Sequence, residues 1–368
     1  MYLQVKVLHV IWHLDQGGAQ TYLFNLLSEQ VADPDLEPCL VVLSSPGALS
    51  DKFEKLLEVE YLGMKGGFSV VRSFGIHRTV KKFRPRLVHS HSNNLLFNSA
   101  LHFVRLPVVY TDHGGGLLGG RKQDYILYRY LYRTINRWIS ISGMMAELMQ
   151  NANPSVSLEI DLVYNGVDVN QIVSTKEYCG DDLDSRILNA KYRVGIIGRL
   201  EHQKGVDLFL KTAASISEKV DDVVFIVIGD GDLRDELESL AVRLGIQDRT
   251  FFLGFRSDAL SLLKLFSVFL FTSNFEPFGL VITEAMAARV PVVAVHTAGA
   301  VPEILEDHED GFIVNTRNPD QVAQAVVTVL GDPATCHRIT EKAAFKVQRE
   351  FSIKSNAQGV KEVYYRSI

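Results

Sequence analysis

Short β-branched runs alternate with longer amphipathic stretches along this whole sequence, and no other feature constrains the fold as strongly. Such alternation favours parallel sheets that are covered by helices on both faces. The predicted strands are, in chain order, VKVLHVIW, PCLVVLS, RLVHS, PVVYT, WISIS and EIDLVYN, and then YRVGIIG, VVFIVIG, RTFFLG, SVFLFTS, PVVAV and GFIVN. The sequence therefore predicts an α/β fold.

The chain is long enough for two such sheets. Its 368 residues exceed the usual size of one domain. The polar, aperiodic stretch 170–189 is the best linker candidate. We expect two doubly wound, Rossmann-like domains, 1–168 and 169–351, the second including the linker. Ligands of such sheets bind outside the carboxyl ends of the strands, so a cleft between the domains is the expected site.

Composition narrows the functional classes. The three cysteines are scattered and odd in number, which is typical of a reducing compartment. No apolar run reaches transmembrane length, and the first residues lack the pattern of a signal peptide, so we expect a cytoplasmic protein. Residues 62–140 carry thirteen Lys or Arg against two acidic residues. This basic segment indicates either contact with an anionic partner or a solvated face.

Two glutamates mark the strongest candidate site. In SNFEPFGLVITEAMA, Glu276 follows a predicted strand and Glu284 lies in a helix that we expect to start near Phe278. Gly279 between them removes a side chain where a ligand must approach closely. Carboxylates accept hydrogen bonds from sugar or ribose hydroxyls. A favourable interaction with the helix dipole explains Glu276 alone, but it does not explain Glu284.

Two other strand–helix junctions suit a phosphate. In GIIGRLEHQKG, Arg199 and Lys204 precede a helix, and cations at a helix N-terminus reinforce its positive dipole. In WHLDQGGAQ, Gly17 and Gly18 let backbone N–H groups approach a phosphate, although a plain tight turn explains them equally well. The spacing in WHLDQGGAQ is not the dinucleotide fingerprint.

Histidines offer a further candidate. His113 follows a predicted strand and precedes a glycine-rich run, so it is as consistent with a site residue as with a structural one. His89 and His91 point the same way on a strand, but strand-end packing is favoured over a metal site because no acid or cysteine stands at ligand spacing. The nucleophile elbow of hydrolases and the Walker phosphate loop are both absent.

Together these motifs resemble a known family. EPFGLVITE is an E-x7-E motif, and with GRLEHQKG, NGVD, GDGDLRDELESLA and FLGF it resembles the retaining family-four glycosyltransferases of the GT-B fold. The resemblance covers essentially the whole chain. It implies two Rossmann-like domains that face each other across a cleft, with a C-terminal helix, about 352–368, that crosses back onto the first domain.

The resemblance also implies roles for individual residues. Arg199 and Lys204 would bind the donor diphosphate, Glu276 would bind the donor sugar, and His113 would lie beside its reacting carbon. The implied donor-binding residues are Gly17, Gly18, Gly254, Phe255, Phe278, Gly279, Leu280 and Glu284. The pattern departs from the family at Gln20, where many members carry Glu, and at AGAVPE, which replaces the commoner G-G-x-x-E.

The expected activity is therefore a metal-independent, retaining hexosyltransferase that needs no cofactor. It would move a sugar from a nucleotide sugar, UDP-linked in preference to GDP-linked, to an acceptor hydroxyl in cell-surface glycan or glycolipid synthesis. The basic, tyrosine-rich stretch 120–138 suits a lipid-linked acceptor and peripheral binding to the anionic inner face of the plasma membrane, or else the outer face of a domain helix. A nucleic-acid partner is disfavoured by the acidic second half.

Two rival classes stay open. One is a GT-B enzyme that acts on the nucleotide sugar itself, such as an epimerase or a phosphorylase-like protein. The other is a non-catalytic subunit that binds a nucleotide sugar, which the intact Arg199, Lys204, Glu276 and Glu284 disfavour.

Overall fold

The chain divides into two compact units. The computed structural model describes residues 4–15, 17–64, 75–92, 101–114, 135–152, 159–180, 182–296 and 298–368. One unit comprises Met1–Val167 and Ser352–Ile368, and the other comprises Asp168–Phe351. Most of the glycine-rich run after His113 and most of the stretch 120–138 lie outside the described residues.

The first unit is built on a seven-stranded parallel sheet. The order of its strands is β3-β2-β1-β4-β5-β6-β7. The strands are β1 (Val5–Ile11), β2 (Leu36–Val42), β3 (Val59–Tyr61), β4 (Leu87–Ser90), β5 (Val108–Asp112), β6 (Arg137–Ser140) and β7 (Ile160–Leu162). The sequence patterns predicted all of them except β3, which has only three residues.

Helices accompany this sheet, and the last of them comes from the C-terminus. Among its described residues, the helices of the first unit are α1 (Gly18–Ala32), α2 (Ser50–Glu54), α3 (Gly75–Phe83), α4 (Gly143–Ala152) and the C-terminal helix Ile353–Ser367. The C-terminal helix packs against α1: the Tyr22 hydroxyl donates to Asn356 Oδ1 at 3.0 Å, and Lys361 Nζ lies 2.7 Å from a carboxylate oxygen of Asp33.

The second unit repeats the plan with six parallel strands. Their order is β10-β9-β8-β11-β13-β15, beside a separate two-stranded ladder of β12 and β14. The strands are β8 (Tyr192–Ile197), β9 (Val223–Ile228), β10 (Thr250–Gly254), β11 (Val268–Phe271), β12 (Phe275–Glu276), β13 (Val292–Val295), β14 (Ala298–Gly299) and β15 (Phe312–Val314). Two doubly wound parallel sheets confirm the predicted fold class.

Helices on both faces bury these strands. The helices of the second unit are α5 (Val169–Ser174), α6 (Ser185–Asn189), α7 (Val206–Ser217), α8 (Arg234–Arg243), α9 (Ala259–Leu263), α10 (Leu280–Ala287), α11 (Val301–Ile304), α12 (Pro319–Gly331) and α13 (Pro333–Glu350). The C-terminal helix of the first unit is therefore α14. All six residues of β9 are buried, as expected for a central strand of a parallel sheet. Within the described ranges, no helix is both long and apolar enough to span a bilayer.

The two chain segments of the first unit come into close contact at Gly166. The Ile353 backbone N–H donates to Val167 O at 2.8 Å, and a Cβ built on Gly166 would lie 2.6 Å from Ile353 Cα and from Ser352 O. We expect Gly166→Ala to lower the free energy of unfolding by about 1–3 kcal/mol, because backbone atoms cannot move aside as a side chain can.

Urea unfolding followed by tryptophan fluorescence measures this change, since Trp12 and Trp138, the two tryptophans of the chain, both lie in the first unit. The matched control is Gly75→Ala in the same unit, where the described atoms nearest to the new Cβ belong to the flexible side chain of Leu62, the closest at 3.2 Å. Equal midpoints for the two variants would contradict the packing argument.

Candidate functional site

Neighbouring strands bring the two strongest motifs together. Strand β8 pairs with β11, so the loops that follow their carboxyl ends emerge side by side. Lys204, from the first loop, places its Nζ 2.7 Å from Glu276 Oε2, from the second. Both side chains are largely buried, at 21% and 12% exposure, so the pair is well shielded from water and salt. The sequence named both residues but not their contact.

Backbone geometry fixes the position of Lys204. Residues His202–Lys204 form one turn of 3₁₀ helix, and Gly205 then adopts the left-handed conformation at φ 61°. A Cβ at Gly205 would lie 2.2 Å from Thr272 O, which comes directly after β11. Glycine is therefore required both by the backbone angle and by the space available. The side chain of Lys204 returns over Gly198, at the end of β8.

Glu276 is held by a short ladder. It pairs with Gly299 between β12 and β14, and its carbonyl accepts from the Ala300 N–H at 3.0 Å. A Cβ at Gly299 would lie 2.4 Å from Glu276 O. The segment AGAVPE, which departs from the family pattern, therefore has a glycine at the position where a side chain would not fit. Gln203 adds a hydrogen bond from its Nε2 to Phe275 O at 3.1 Å.

Arg317 supports the same loop. It was not among the site residues predicted from the sequence. Its two Nη atoms donate to Ser273 O at 3.2 Å and to Thr272 O at 3.1 Å. Burial lowers the pKa of the Arg317 guanidinium, while Asp207 opposes that change. Arg317 follows the carboxyl end of β15, and that position is the signal that could have identified it.

Arg199 stands apart from this pair. Its guanidinium is 72% exposed and binds Glu201 Oε1 at 2.8 Å. Arg199 and Lys204 are thus each paired with a different carboxylate. An exposed pair of this kind contributes little to stability, so the Arg199 side chain is free to exchange partners.

Glu284 lies half-buried on α10. This helix starts at Leu280, two residues later than expected, after Gly279 with φ 106°. No side chain caps the N-terminus of α10. Phe278 is buried and packs edge-on against Phe351, with ring centroids 5.7 Å apart. Among the described residues, the Glu284 carboxylate has no hydrogen-bond or ion-pair partner, and burial raises its pKa to about 7.

Gly254 and Phe255 lie at the end of β10. Gly254 has φ 66° and accepts from the Gly229 N–H at 2.8 Å. Phe255 is 57% exposed, which is unusual for a large apolar side chain. Arg234 approaches Gly254 and donates to Phe252 O at 3.3 Å. The end of β10 therefore carries an exposed aromatic side chain, and the Arg234 guanidinium lies near Gly254.

In the first unit, Gly17 and Gly18 begin α1. Gly17 is the residue before the helix, and no side chain caps it. Gln20 is buried and reaches back to His13, with Nε2 3.4 Å from its Nδ1. The glutamine therefore serves as a neutral hydrogen-bonding group where many family members carry a charge.

Also in the first unit, the half-buried His113 extends a buried histidine cluster that is formed by His9, His89 and His91. His91 Nδ1 lies 3.2 Å from His113 Nε2, and His91 Nε2 lies 3.0 Å from His9 Nδ1. Ligand atoms of His9, His89 and His91 all lie within 4.8 Å of one another, which is close enough to hold a metal ion. His89 and His91 were among the candidates predicted from the sequence, whereas His9, which lies inside β1, was not.

The raised pKa of Glu284 predicts a pH-dependent stability. A carboxyl whose folded pKa exceeds its unfolded value destabilises the fold once pH rises through that interval, here from about 4.5 to about 7. We expect Glu284→Gln to be close to neutral at pH 4 and to raise the free energy of unfolding by up to about 3 kcal/mol at pH 8. Thermal unfolding of the ligand-free chain at both pH values measures the difference.

The matched control for that experiment is Glu147→Gln, whose side chain is exposed and lies in the middle of α4, away from both helix ends. Because this replacement alters no buried carboxyl and no helix terminus, it should shift the midpoint equally at both pH values. A Glu284→Gln effect that does not grow with pH would contradict the burial argument.

Family models cover both units. The model described as Glycosyltransferase Family 4 matches residues 16–171, and the model described as Glycosyl transferases group 1 matches residues 184–345. An uncharacterized glycosyltransferase of Methanocaldococcus jannaschii is 30% identical over 278 residues, which are 72% of this chain and 70% of that protein.

Two further comparisons span nearly the whole chain. The UDP-Gal:alpha-D-GlcNAc-diphosphoundecaprenol alpha-1,3-galactosyltransferase of Escherichia coli is 26% identical, with 98% of this chain and 97% of that protein covered. The crystal structure of HepE from Anabaena, in complex with UDP and glucose, superposes with a TM-score of 0.82 at 23% identity and covers 98% of this chain and 100% of HepE. The family and the GT-B fold that the motifs predict are thus confirmed, and the chain belongs to glycosyltransferase family 4, the retaining enzymes that use nucleotide-sugar donors.

Proposed function

We propose that this glycosyltransferase moves a hexose from a UDP-sugar to a hydroxyl group of a glycan or a lipid-linked acceptor. The observation that carries the proposal is the contact between Lys204 and Glu276 at the carboxyl ends of β8 and β11. The choice of UDP is supported by the complex of HepE with UDP and glucose and by the name of the E. coli galactosyltransferase. The diphosphoundecaprenol in that name supports a lipid-linked acceptor.

Lys204 is suited to a leaving diphosphate. As the bond to the sugar breaks, negative charge develops on the phosphate oxygens, and a preorganised cation stabilises that charge. Lys204 is held ready by Glu276 and Gly205, and Arg199 is exposed and able to change partners. The uncapped N-terminus of α10 adds the positive end of a helix dipole. We therefore assign the stabilisation of the leaving group to these three features.

The two glutamates are suited to the hydroxyls of the donor. Glu276 already interacts with Lys204, so it would accept from a sugar hydroxyl with its remaining lone pairs. Glu284 has no partner among the described residues, so a ribose hydroxyl would supply the hydrogen bond that its half-buried carboxylate lacks. This division of roles follows the family resemblance.

The proposed reaction needs no metal ion. The positive charge that a metal would supply at the diphosphate comes from Lys204, Arg199 and the helix terminus. The acceptor hydroxyl attacks on the face that the diphosphate leaves, and its proton passes to a leaving phosphate oxygen. No described side chain of the second unit has the environment of a covalent nucleophile, so a front-face reaction agrees with the residues present.

The other assignments stay predictions. They are the roles of His113, Gly17, Gly18, Gly254, Phe255, Phe278, Gly279 and Leu280 in donor binding. The peripheral location at an anionic membrane also stays a prediction, because the stretch 120–138 on which it rests lies mostly outside the described residues.

A panel of nucleotide sugars tests the activity. The pure protein is incubated with UDP- and GDP-linked hexoses, and released nucleoside diphosphate is measured with and without a polyprenyl-diphosphate sugar acceptor. Slow release from one UDP-hexose, accelerated by the acceptor, is the expected result. Isomerisation of the sugar without release would instead identify an epimerase, and tight binding without turnover would identify a non-catalytic subunit.

Lys204→Ala tests the site directly. We expect the rate of nucleotide release to fall about 10²-fold or more, as is typical when one preorganised donor to a developing anion is removed. Glu276→Ala should also abolish turnover. The matched control is Lys211→Ala, which removes the exposed pair between Lys211 and Asp207 on the following helix, α7, and should leave the rate unchanged. Near-normal activity of Lys204→Ala would refute the assigned site.

A further inference from the structure

The buried histidine cluster of the first unit, extended by His113, forms a continuous hydrogen-bonded chain. His9 lies on β1 directly opposite His89 on β4, His91 follows β4, and His113 follows β5, so the extended cluster spans three neighbouring strands. The chain runs from Gln30 Oε1 to His9 Nε2 at 2.8 Å, from His9 Nδ1 to His91 Nε2 at 3.0 Å, and from His91 Nδ1 to His113 Nε2 at 3.2 Å.

All the rings in this chain are neutral. Burial lowers the pKa of His9 to about 3 and that of His113 to about 4, and it lowers the pKa of His91 well below its ordinary value. A neutral imidazole has one nitrogen that donates and one that accepts. The direction of one hydrogen bond in the chain therefore determines the direction of every other.

Gln30 supplies that direction. Its Nε2 donates to the Tyr364 hydroxyl at 3.1 Å, which leaves Oε1, an acceptor only, facing His9. His9 must then carry its proton on Nε2 and accept on Nδ1 from His91. His91 in turn accepts on Nδ1 from His113, whose proton is thereby placed on Nε2.

The same orientation of the Gln30 amide also sets the branch through Tyr364. The Tyr364 hydroxyl accepts from Gln30, so its own proton is available for His89 Nδ1 at 2.6 Å. His89 then carries its proton on Nε2 and donates it to Thr111 Oγ1 at 2.8 Å. Every ring nitrogen of His9, His89 and His91 thus has a complementary partner.

We propose that Gln30 is a positioning residue for His113: acting through His9 and His91, it holds the proton of His113 on Nε2 and leaves Nδ1 as an acceptor. The residue that controls the ring is on α1, and Tyr364 on the C-terminal helix orients its amide. The ring of His113 then accepts a hydrogen bond from a hydroxyl but does not donate one through Nδ1. The relevance of this preference to a donor sugar rests on the proposed function, whereas the tautomer itself does not.

Metal binding is the rival interpretation of the same cluster. It requires lone pairs from several rings that converge on one point, with nitrogen atoms about 2.0–2.1 Å from a zinc ion. Here, however, each of the six ring nitrogens of His9, His89 and His91 is within hydrogen-bonding distance of another group. A metal would have to break the bond between His9 and His91, so the hydrogen-bonded chain accounts for the observed contacts more completely.

The test reads the tautomer of His113 by NMR. The full chain is labelled with ¹⁵N-histidine, and two-bond ¹H–¹⁵N spectra distinguish protonated from unprotonated ring nitrogens. The signals of His113 are identified by their loss in His113→Gln. In the wild type we expect protonated Nε2 and unprotonated Nδ1. In Gln30→Met, which preserves side-chain length but removes the acceptor, and in His91→Phe, we expect a mixture of both tautomers.

The matched control is Tyr22→Phe. The ring of Tyr22 packs edge-on against His113, at 5.1 Å between centroids, but its hydroxyl binds Asn356 outside the histidine chain. This variant should leave the tautomer unchanged. Circular dichroism checks that each variant is folded, and Gln30→Met alone decides the outcome if His91→Phe does not fold.

Three results would overturn the proposal. They are a proton on Nδ1 of His113 in the wild type, an unchanged tautomer in Gln30→Met, and stoichiometric shifts of the cluster signals on addition of Zn²⁺ alone.

A kinetic measurement is possible once a nucleotide sugar that the enzyme uses as donor is known. With that donor, Gln30→Met should lower kcat roughly five- to tenfold, which is the effect of one lost hydrogen bond. The NMR result stands whether or not the nucleotide-sugar panel identifies a donor, so the two proposals fail separately.

Discussion

The ion pair between Lys204 and Glu276 is the interaction on which the proposed donor site of the second unit depends. A partly buried pair is costly to break from one side, because the remaining charge is left without compensation. Here each partner therefore fixes the position of the other, and the two loops after β8 and β11 behave as one element. In the proposed reaction, the positive charge for the leaving diphosphate and the acceptor for a sugar hydroxyl would consequently be held in one geometry, which would limit the reorganisation needed during reaction.

Glycine makes this arrangement accessible to the backbone. Gly205 and Gly279 both have positive φ angles, and each directly precedes a helix that opens toward the site. Gly299 serves a different purpose, since it lets β14 approach the backbone of Glu276. The chemical side chains are thus only half of the motif. The other half is a set of glycines: at Gly205 and Gly299 a Cβ would collide with backbone, and at Gly279 the backbone angle itself favours glycine.

Local patterns were sufficient to predict the strands and the charged residues of the site, because both depend on short stretches of sequence. β3 and the ladder of β12 with β14 were missed, since two or three residues carry no periodicity. Arg317 and His9 were missed for another reason. Arg317 acts on backbone atoms 44 and 45 residues away, and His9 is surrounded by Gln30 and Tyr364, which are distant in sequence. Such contacts follow from sheet order, which a single sequence does not specify.

The two glutamates of the E-x7-E motif have different electrostatic environments, which the motif alone does not indicate. Glu276 has a cation within 2.7 Å, so its charge is balanced before any ligand binds. Glu284 is half-buried with no partner among the described residues, and its pKa of about 7 records the cost of charging it there. A ligand hydroxyl that donates to Glu284 stabilises the charged form and so lowers this pKa. Donor binding would thus be coupled to loss of a proton at Glu284.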